Sequence, residues 1–485
     1  MSVSDFQSRP LCGSESTWCK VVPGGTGTSV LGLLVEKQLD FSLIETALHS
    51  LQLRHPLLRS KLKPNADSNV FSFLIPKAPT LKLHPFDSQS TAEIVRQHSG
   101  PSSFHILLEH ELNCNPWVNP DPSSGTDVLH ASIYTLEDGG ATKWSLIIRV
   151  HSAVCDRTAA VEAMKDLTAM MKEGGGAGVE EGEVIWGLEE YVPDGKTNKP
   201  FWARGVDMLG YSFNSFRLAN LDFADPGSPR SSRVVRLLMD LKHTTKLLEI
   251  IAYLKLILNG SQQIKSKEIV ILTQYNIRFK GCKTRGIKLC GALSAAVLMA
   301  ARLAKRLPDG ESEKYSVVTM TDCRKLLQPP LSSRHVGFYH SAILSTHEMK
   351  GGEELWDFAK RIYTSFRDAM NSNKHFSDMA DFNFLMCKAI ENPGLTPSSS
   401  LRTSSISVFE DPIVDQNDEV HTGLGIEDYV GCASVHGVGP SIAMFDTIRD
   451  GKLDCACVYP FPLHSREQMQ ALIDKMKTIL TDAVK

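Results

Sequence analysis

Residues 127–151 constrain the fold more than any other stretch. Two strongly β-patterned runs, "DVLHASIYTL" and "KWSLIIRV", flank "EDGGAT", and the second run passes directly into a helical pattern that starts at Asp156. The glycines between the runs permit the positive φ of a tight reversal, so the pair reads as an antiparallel hairpin. From Asp156 to Lys172 the apolar positions Val161, Met164, Leu167 and Met171 share one helical face. A hairpin that feeds a helix points to mixed α/β layers.

The rest of the chain repeats that mixture. Residues 40–53 carry Phe41, Ile44, Leu48 and Leu51 at helical spacing behind Asp40, a good N-cap. "STWCKVV", "TSVLGLLVE" and "VFSFLIP" read as strands. The flexible acidic run "KEGGGAGVEEGE" breaks the pattern. Two units are therefore expected, 1–173 and 233–485, joined by a linker at 174–232. The second unit opens with strand-like "RVVRLLMDL" and a helix from His243, followed by a long helix near 286–307 and strand-like "YSVVTMTDCR". An amphipathic helix at 355–370, a hairpin around Asp450-Gly451 and a closing helix with Met469, Leu472, Ile473, Met476, Ile479 and Leu480 on one stripe complete it. Residues 251–281 stand apart, rich in Ile, Lys, Asn and Gln, with Glu268 as sole acid and Ala252 as sole alanine. They read either as an insertion, even translated non-coding sequence, or as a β-hairpin arm.

Composition narrows the function. A chain of 485 residues has room for two or three domains. With 52 basic against 55 acidic residues and no Lys/Arg stripe interleaved with aromatics, no nucleic-acid partner is expected. The most apolar helical run, "CGALSAAVLMAARLA", holds Arg302 and falls short of the roughly 20 residues a membrane span needs. The 11 cysteines are scattered without paired CxxC motifs, so no metal site is expected. An odd number of thiols without a secretory pattern suits a reducing, cytoplasmic setting. A monomer is expected.

The chemistry concentrates at "IIRVHSAVCDRTA", residues 147–159. A strand end that turns into a helix holds side chains on a rigid base while exposing them to a cleft. His151 there could take a proton from a hydroxyl or amine, and Ser152 could donate a hydrogen bond to substrate or hold a water. Asp156 could orient an imidazole or lock the turn through an arginine. Each has a plainer reading as well. His151 can be a hydrogen-bonded strand-end residue, Ser152 a turn residue, Asp156 an N-cap and Cys155 a small buried hydrophobe.

This junction resembles the motif of the chloramphenicol acetyltransferase-like superfamily of CoA-dependent acyltransferases, which includes the HxxxD plant acyltransferases, alcohol acetyltransferases and condensation domains. "ALHSLQLRHPLLRSKL" is similar to that group's helix followed by His-Pro and Arg. "SVVTMTDCRKLL" resembles its second-domain Asp-x-Arg strand, with Asp322 and Arg324 as a charged brace, and "VGFYHSAIL" resembles the glycine-aromatic strand after it. The resemblance implies two α/β domains with mixed sheets flanked by helices and a ligand tunnel between them, lined from the first domain by His151, Ser152 and Asp156. It implies acyl-CoA as co-substrate, a small alcohol or amine as acceptor and no permanently bound cofactor. His55, His335 and His340 read as structural.

The resemblance also carries departures. The general base of the superfamily is the second histidine of the pair, and that position is Ser152; the motif glycine is Arg157. Two functions stay open: acyl transfer with His151, or a water held by Ser152, as substitute base, and a non-catalytic member that binds a ligand or partner. An Arg157 side chain plugging the tunnel would favour the second.

Overall fold

A computed structural model describes residues 6–65, 70–97, 100–138, 140–176, 178–200, 202–205, 268–272, 281–305, 307–391, 405–415, 418–449, 451–461 and 464–483. The hairpin forms as expected, with Leu129–Asp138 antiparallel to Ala141–His151. It sits inside a five-stranded sheet, between the parallel edge strand Leu83–Phe86 and the long strand Thr26–Val35. The run "SLIIRV" is apolar without clean alternation because the strand is covered on both faces. Leu146, Ile148 and Val150 pack toward helices Phe41–Arg54 and Arg157–Lys172, and Ile147 packs toward helix Ser103–Asn113.

The second half builds a larger mixed sheet. His340–Lys350 pairs antiparallel with Ser312–Asp322, which runs parallel to Ser405–Phe409, itself parallel to Ile442–Arg449. The closing hairpin Ile442–Arg449 and Lys452–Phe461 forms around Gly451. Helices Leu289–Lys305, Leu355–Asn371 and Arg466–Asp482 cover one face, burying Leu293, Val297, Phe358, Ile362, Met469, Leu472, Ile473, Met476 and Leu480 together. A small antiparallel sheet of Phe6–Pro10, Phe71–Pro76, Lys61–Pro64 and Thr126–Asp127 completes three sheets among the described residues.

Several expectations are corrected. "STWCKVV" lies in helix Gly13–Val21 rather than a strand. The Glu15 carboxylate accepts the Cys12 amide at 2.9 Å and pairs with Arg9 at 2.5 Å, which nucleates the first turn. With Thr17, Cys19 and Val21 buried, tertiary packing overrides the modest strand preference of β-branched residues. Asp40 does cap the Phe41–Arg54 helix, accepting from Ser42 and Leu43, but Phe41 is exposed and Ala47 takes its place on the buried face. One strand crosses between the expected units 1–173 and 233–485. Ile426–Val435, deep in the second half, pairs with Thr26–Val35 and becomes the edge of the first half's sheet. An apolar strand such as Val30–Val35 would otherwise present an unpaired ladder, and the late strand covers it. Of the unusual segment 251–281, residues Glu268–Leu272 form the edge strand beside Lys452–Phe461 and Gly281 opens a short helix. The remainder, most of the 174–232 linker, and the runs expected at 233–241 and from His243 lie outside the described residues.

Candidate functional site

Successive side chains along a strand point to opposite faces, and that rule separates the two leading candidates. His151 ends the Ala141–His151 strand and turns toward the Ser103–Asn113 side, where it is fully buried. Its ring meets Trp117 edge-on, with centroids 5.0 Å apart. Its Nδ1 accepts the Ala153 amide at 3.0 Å, and Nε2 has no hydrogen-bond partner among the described residues. Burial pushes its pKa down to about 3, so the ring is neutral at ordinary pH. His151 therefore does not line the cleft, contrary to expectation, and is badly placed to meet a substrate.

Ser152 faces the other way, into a cavity of ≈ 170 Å³ between the two halves. That volume is on the order of ten water sites, enough for a small acyl group and its acceptor. Its Oγ donates to the Gly27 carbonyl at 2.6 Å and lies 3.3 Å from Ser29 Oγ. Gly27 has φ of +90°, and a Cβ there would strike the Trp18 ring at 2.5 Å. Glycine at this position lets the strand turn beneath the indole and present its carbonyl to Ser152. The walls are mainly apolar. Leu31 and Leu33 come from the first sheet, Ala160 and Met164 from helix Arg157–Lys172, Ala433 from the crossover strand, and Phe409 and Phe445 from the second sheet.

Asp156 holds the turn. As N-cap its Oδ1 accepts the Ala159 amide at 2.8 Å, while Oδ2 accepts the Tyr339 amide at 2.7 Å. Arg324 Nη1 lies 2.9 Å from the same Oδ2 and 3.0 Å from Asp322 Oδ1. Burial alone would raise the carboxyl's pKa, but Arg324 and then His340 outweigh it and hold Asp156 well below the ordinary carboxylate range. Arg324 is itself buried and donates further to the carbonyls of His335 and Gly337. Asp322 accepts from Thr158 Oγ1 at 3.0 Å. The pair Asp322 and Arg324 is thus a brace that ties the second half's sheet to the first residues of the motif helix.

Arg157, at the motif's glycine position, lines the cavity and reaches across it. Its guanidinium sits 4.3 Å over the Phe409 ring and lies 3.0 Å from Asp446 Oδ1, and it also bonds the Asp446 carbonyl. Burial raises the pKa of Asp446, although Arg157 opposes that shift. Cys155 also borders the cavity. Its thiol is pushed far up by burial and then by Asp156, which leaves it unreactive and fits the reading of a small buried group.

One group in the cavity read from the sequence only as structural. His340 opens its strand opposite Asp322, its Nδ1 lies 3.0 Å from Asp156 Oδ2, and its ring meets Phe409 edge-on at 5.9 Å. The signal was present in "VGFYHSAIL", but only strand register places that histidine beside the motif aspartate. His55, by contrast, is tied to Asp166 at 2.8 Å outside this cavity, and His335 is half-buried beside Ser332. Among the described residues no three His, Cys, Asp or Glu side chains could hold a metal ion, and no helix is long and apolar enough to cross a membrane.

No family model and no curated protein sequence matches the chain. Solved structures do. A trichothecene 15-O-acetyltransferase from Fusarium sporotrichioides aligns with TM-score 0.65 at 12% identity, covering 99% of this chain and 96% of that one. Polyketide synthase associated protein 5 from Mycobacterium tuberculosis aligns with TM-score 0.57 at 12% identity, covering 98% and 97%. The condensation domain of the monacolin K polyketide synthase aligns with TM-score 0.55 at 10% identity, covering 99% and 98%.

The chain shares the fold of these acetyltransferase and condensation-domain structures.

At these identities the likeness is one of fold alone. Within this fold the cavity at Ser152 is bounded by both halves, while His151 lies behind the sheet and His340 lies in front of it.

Proposed function

We propose that the protein transfers an acyl group from an acyl thioester, with acyl-CoA as donor, to a small alcohol or amine bound in the cavity between its halves. One observation carries the reading: a largely apolar cavity spans both halves, and at the motif end its lining includes Ser152, Asp156 and His340, whose Nδ1 lies 3.0 Å from Asp156 Oδ2. The apolar wall suits an acyl chain, and the polar end suits the thioester carbonyl and the acceptor's hydroxyl or amine. The Asp156–Arg324 brace keeps that end in place across the seam. The solved acetyltransferase of the same fold lends the reaction class by analogy.

A second reading, a ligand-binding member without turnover, draws on Ser152 and Arg157. A hydroxyl is no base near neutral pH, Ser152 is already committed to the Gly27 carbonyl, and Arg157 occupies part of the cavity.

Release of free thiol from a panel of acyl-CoAs with pooled alcohols and amines decides between them. Binding is followed in parallel through the fluorescence of Trp18, which borders the cavity. Turnover that falls to background in Ala433→Phe, with unchanged circular dichroism, is the expected result. Binding without turnover favours the second reading. The absence of both binding and turnover overturns the proposal.

A further inference from the structure

We propose that His340, held by Asp156, is the general base of the transfer and takes the place of the missing motif histidine; this assignment rests on the acyl-transfer reading above. Three observations place it. His340 borders the same cavity as Ser152, it comes from the opposite half of the molecule, and its Nδ1 lies 3.0 Å from Asp156 Oδ2. A carboxylate beside Nδ1 favours the tautomer with the proton on that nitrogen, which leaves a lone pair on Nε2. The Phe409 ring restrains the imidazole from the side.

Asp156 thus has two duties. Its carboxylate caps the motif helix and anchors Arg324, and it also orients a histidine that the motif itself does not contain. His151 cannot do the same work, because its neutral ring is sealed behind the sheet against Trp117. Loss of a base at one position on this scaffold is offset when another imidazole enters the same cavity with its own carboxylate.

The step balances without any further reactant. His340 Nε2 takes the proton of the acceptor's O–H or N–H as the freed oxygen or nitrogen bonds to the thioester carbonyl carbon. The carbonyl π electrons move to oxygen and give a tetrahedral oxyanion. Its collapse restores the carbonyl, breaks the C–S bond and expels thiolate, which recovers the proton from the His340 imidazolium. The products are an ester or amide and free CoA thiol.

The test uses whichever donor and acceptor pair the wild-type protein turns over. His340→Gln keeps a polar group of similar reach beside Asp156 but removes the base, and His340→Ala opens a hole that added imidazole can fill. Expected are a fall in kcat of about 10²–10⁴ in both variants, KM for the acyl-CoA within about threefold of wild type, and partial restoration of His340→Ala by imidazole. Unchanged Trp18 fluorescence titrations with acyl-CoA show that the cavity is intact in each variant. Turnover by His340→Gln within about threefold of wild type overturns the assignment while leaving acyl transfer standing. Acyl-CoA binding with no turnover by the wild-type protein overturns both.

Discussion

Arg324 Nη1 lies 2.9 Å from Asp156 Oδ2, and both side chains are almost entirely shielded from solvent. The two residues are 168 positions apart, Asp156 just beyond strand Ala141–His151 and Arg324 just beyond strand Ser312–Asp322, so this contact fastens the halves of the molecule at the motif itself. Breaking a buried pair strands the remaining charge, which typically costs about 3–5 kcal/mol. Arg324→Ala should lower stability by that order and abolish acyl-CoA binding. Arg324→Lys should recover only part of it, because an ammonium cannot serve Asp156, Asp322 and the carbonyl of Gly337 in one plane. Urea midpoints of the three proteins check this, and an Arg324→Ala midpoint equal to wild type would refute the brace.

His151 gives a pH signature. Its pKa is pushed down to about 3 by burial, whereas an unfolded histidine titrates near 6.5. Between those values the unfolded chain binds the proton and the folded one does not, so stability falls as pH drops below about 6.5. The loss amounts to a few kcal/mol by pH 4. His151→Gln should reduce the slope of stability against pH in that window and leave acyl-CoA binding unchanged. Equal slopes in the two proteins would contradict the buried, neutral ring.

Asp446 predicts the opposite sign. Burial raises its pKa, Arg157 counters that shift, and Oδ2 has no hydrogen-bond partner among the described residues. In Arg157→Ala the carboxylate is left buried and uncompensated. A group whose folded pKa is raised holds its proton more tightly in the native state, so it favours folding at low pH and that benefit is lost as pH rises. The variant's deficit should therefore be largest near pH 7, on the order of 3 kcal/mol, and shrink toward pH 5. Denaturant titrations at the two pH values measure it, and a deficit that grows on acidification rules the account out.

Ser152→His restores the residue expected at the motif's base position. The new imidazole would leave the strand on the cavity side, opposite His151. Free-thiol release should rise by about tenfold or more if Ser152 limits the rate. Ser152→Ala, which removes the bond to the Gly27 carbonyl and the contact with Ser29 Oγ, should change turnover by less than about threefold. A Ser152→Ala protein as crippled as His340→Gln would move the essential proton transfer to the serine side of the cavity.

Much of the local structure was legible because it depends on near neighbours. Asp40 and Asp156 sit before apolar periodic runs and cap helices, since a side-chain oxygen satisfies amide donors two or three residues away. The hairpins at 129–151 and 442–461 follow from β-branched runs separated by glycine. "STWCKVV" misled because its helix depends on Arg9, Glu15 and packing beneath it rather than on its own propensities.

By itself the sequence determined the mixed α/β class, the elements around residues 147–159, and the absence of a second histidine at Ser152. These follow from periodicity and residue type, both of which act over a few residues. Only the tertiary structure decided which way each candidate points and what it meets. The two-residue period of a strand sends His151 to Trp117 and Ser152 to the cavity. The pairing of Ser312–Asp322 with His340–Lys350 sets His340 across from Asp322 and beside Asp156. Contacts between residues more than 150 positions apart depend on how whole sheets pack, and no local pattern encodes that.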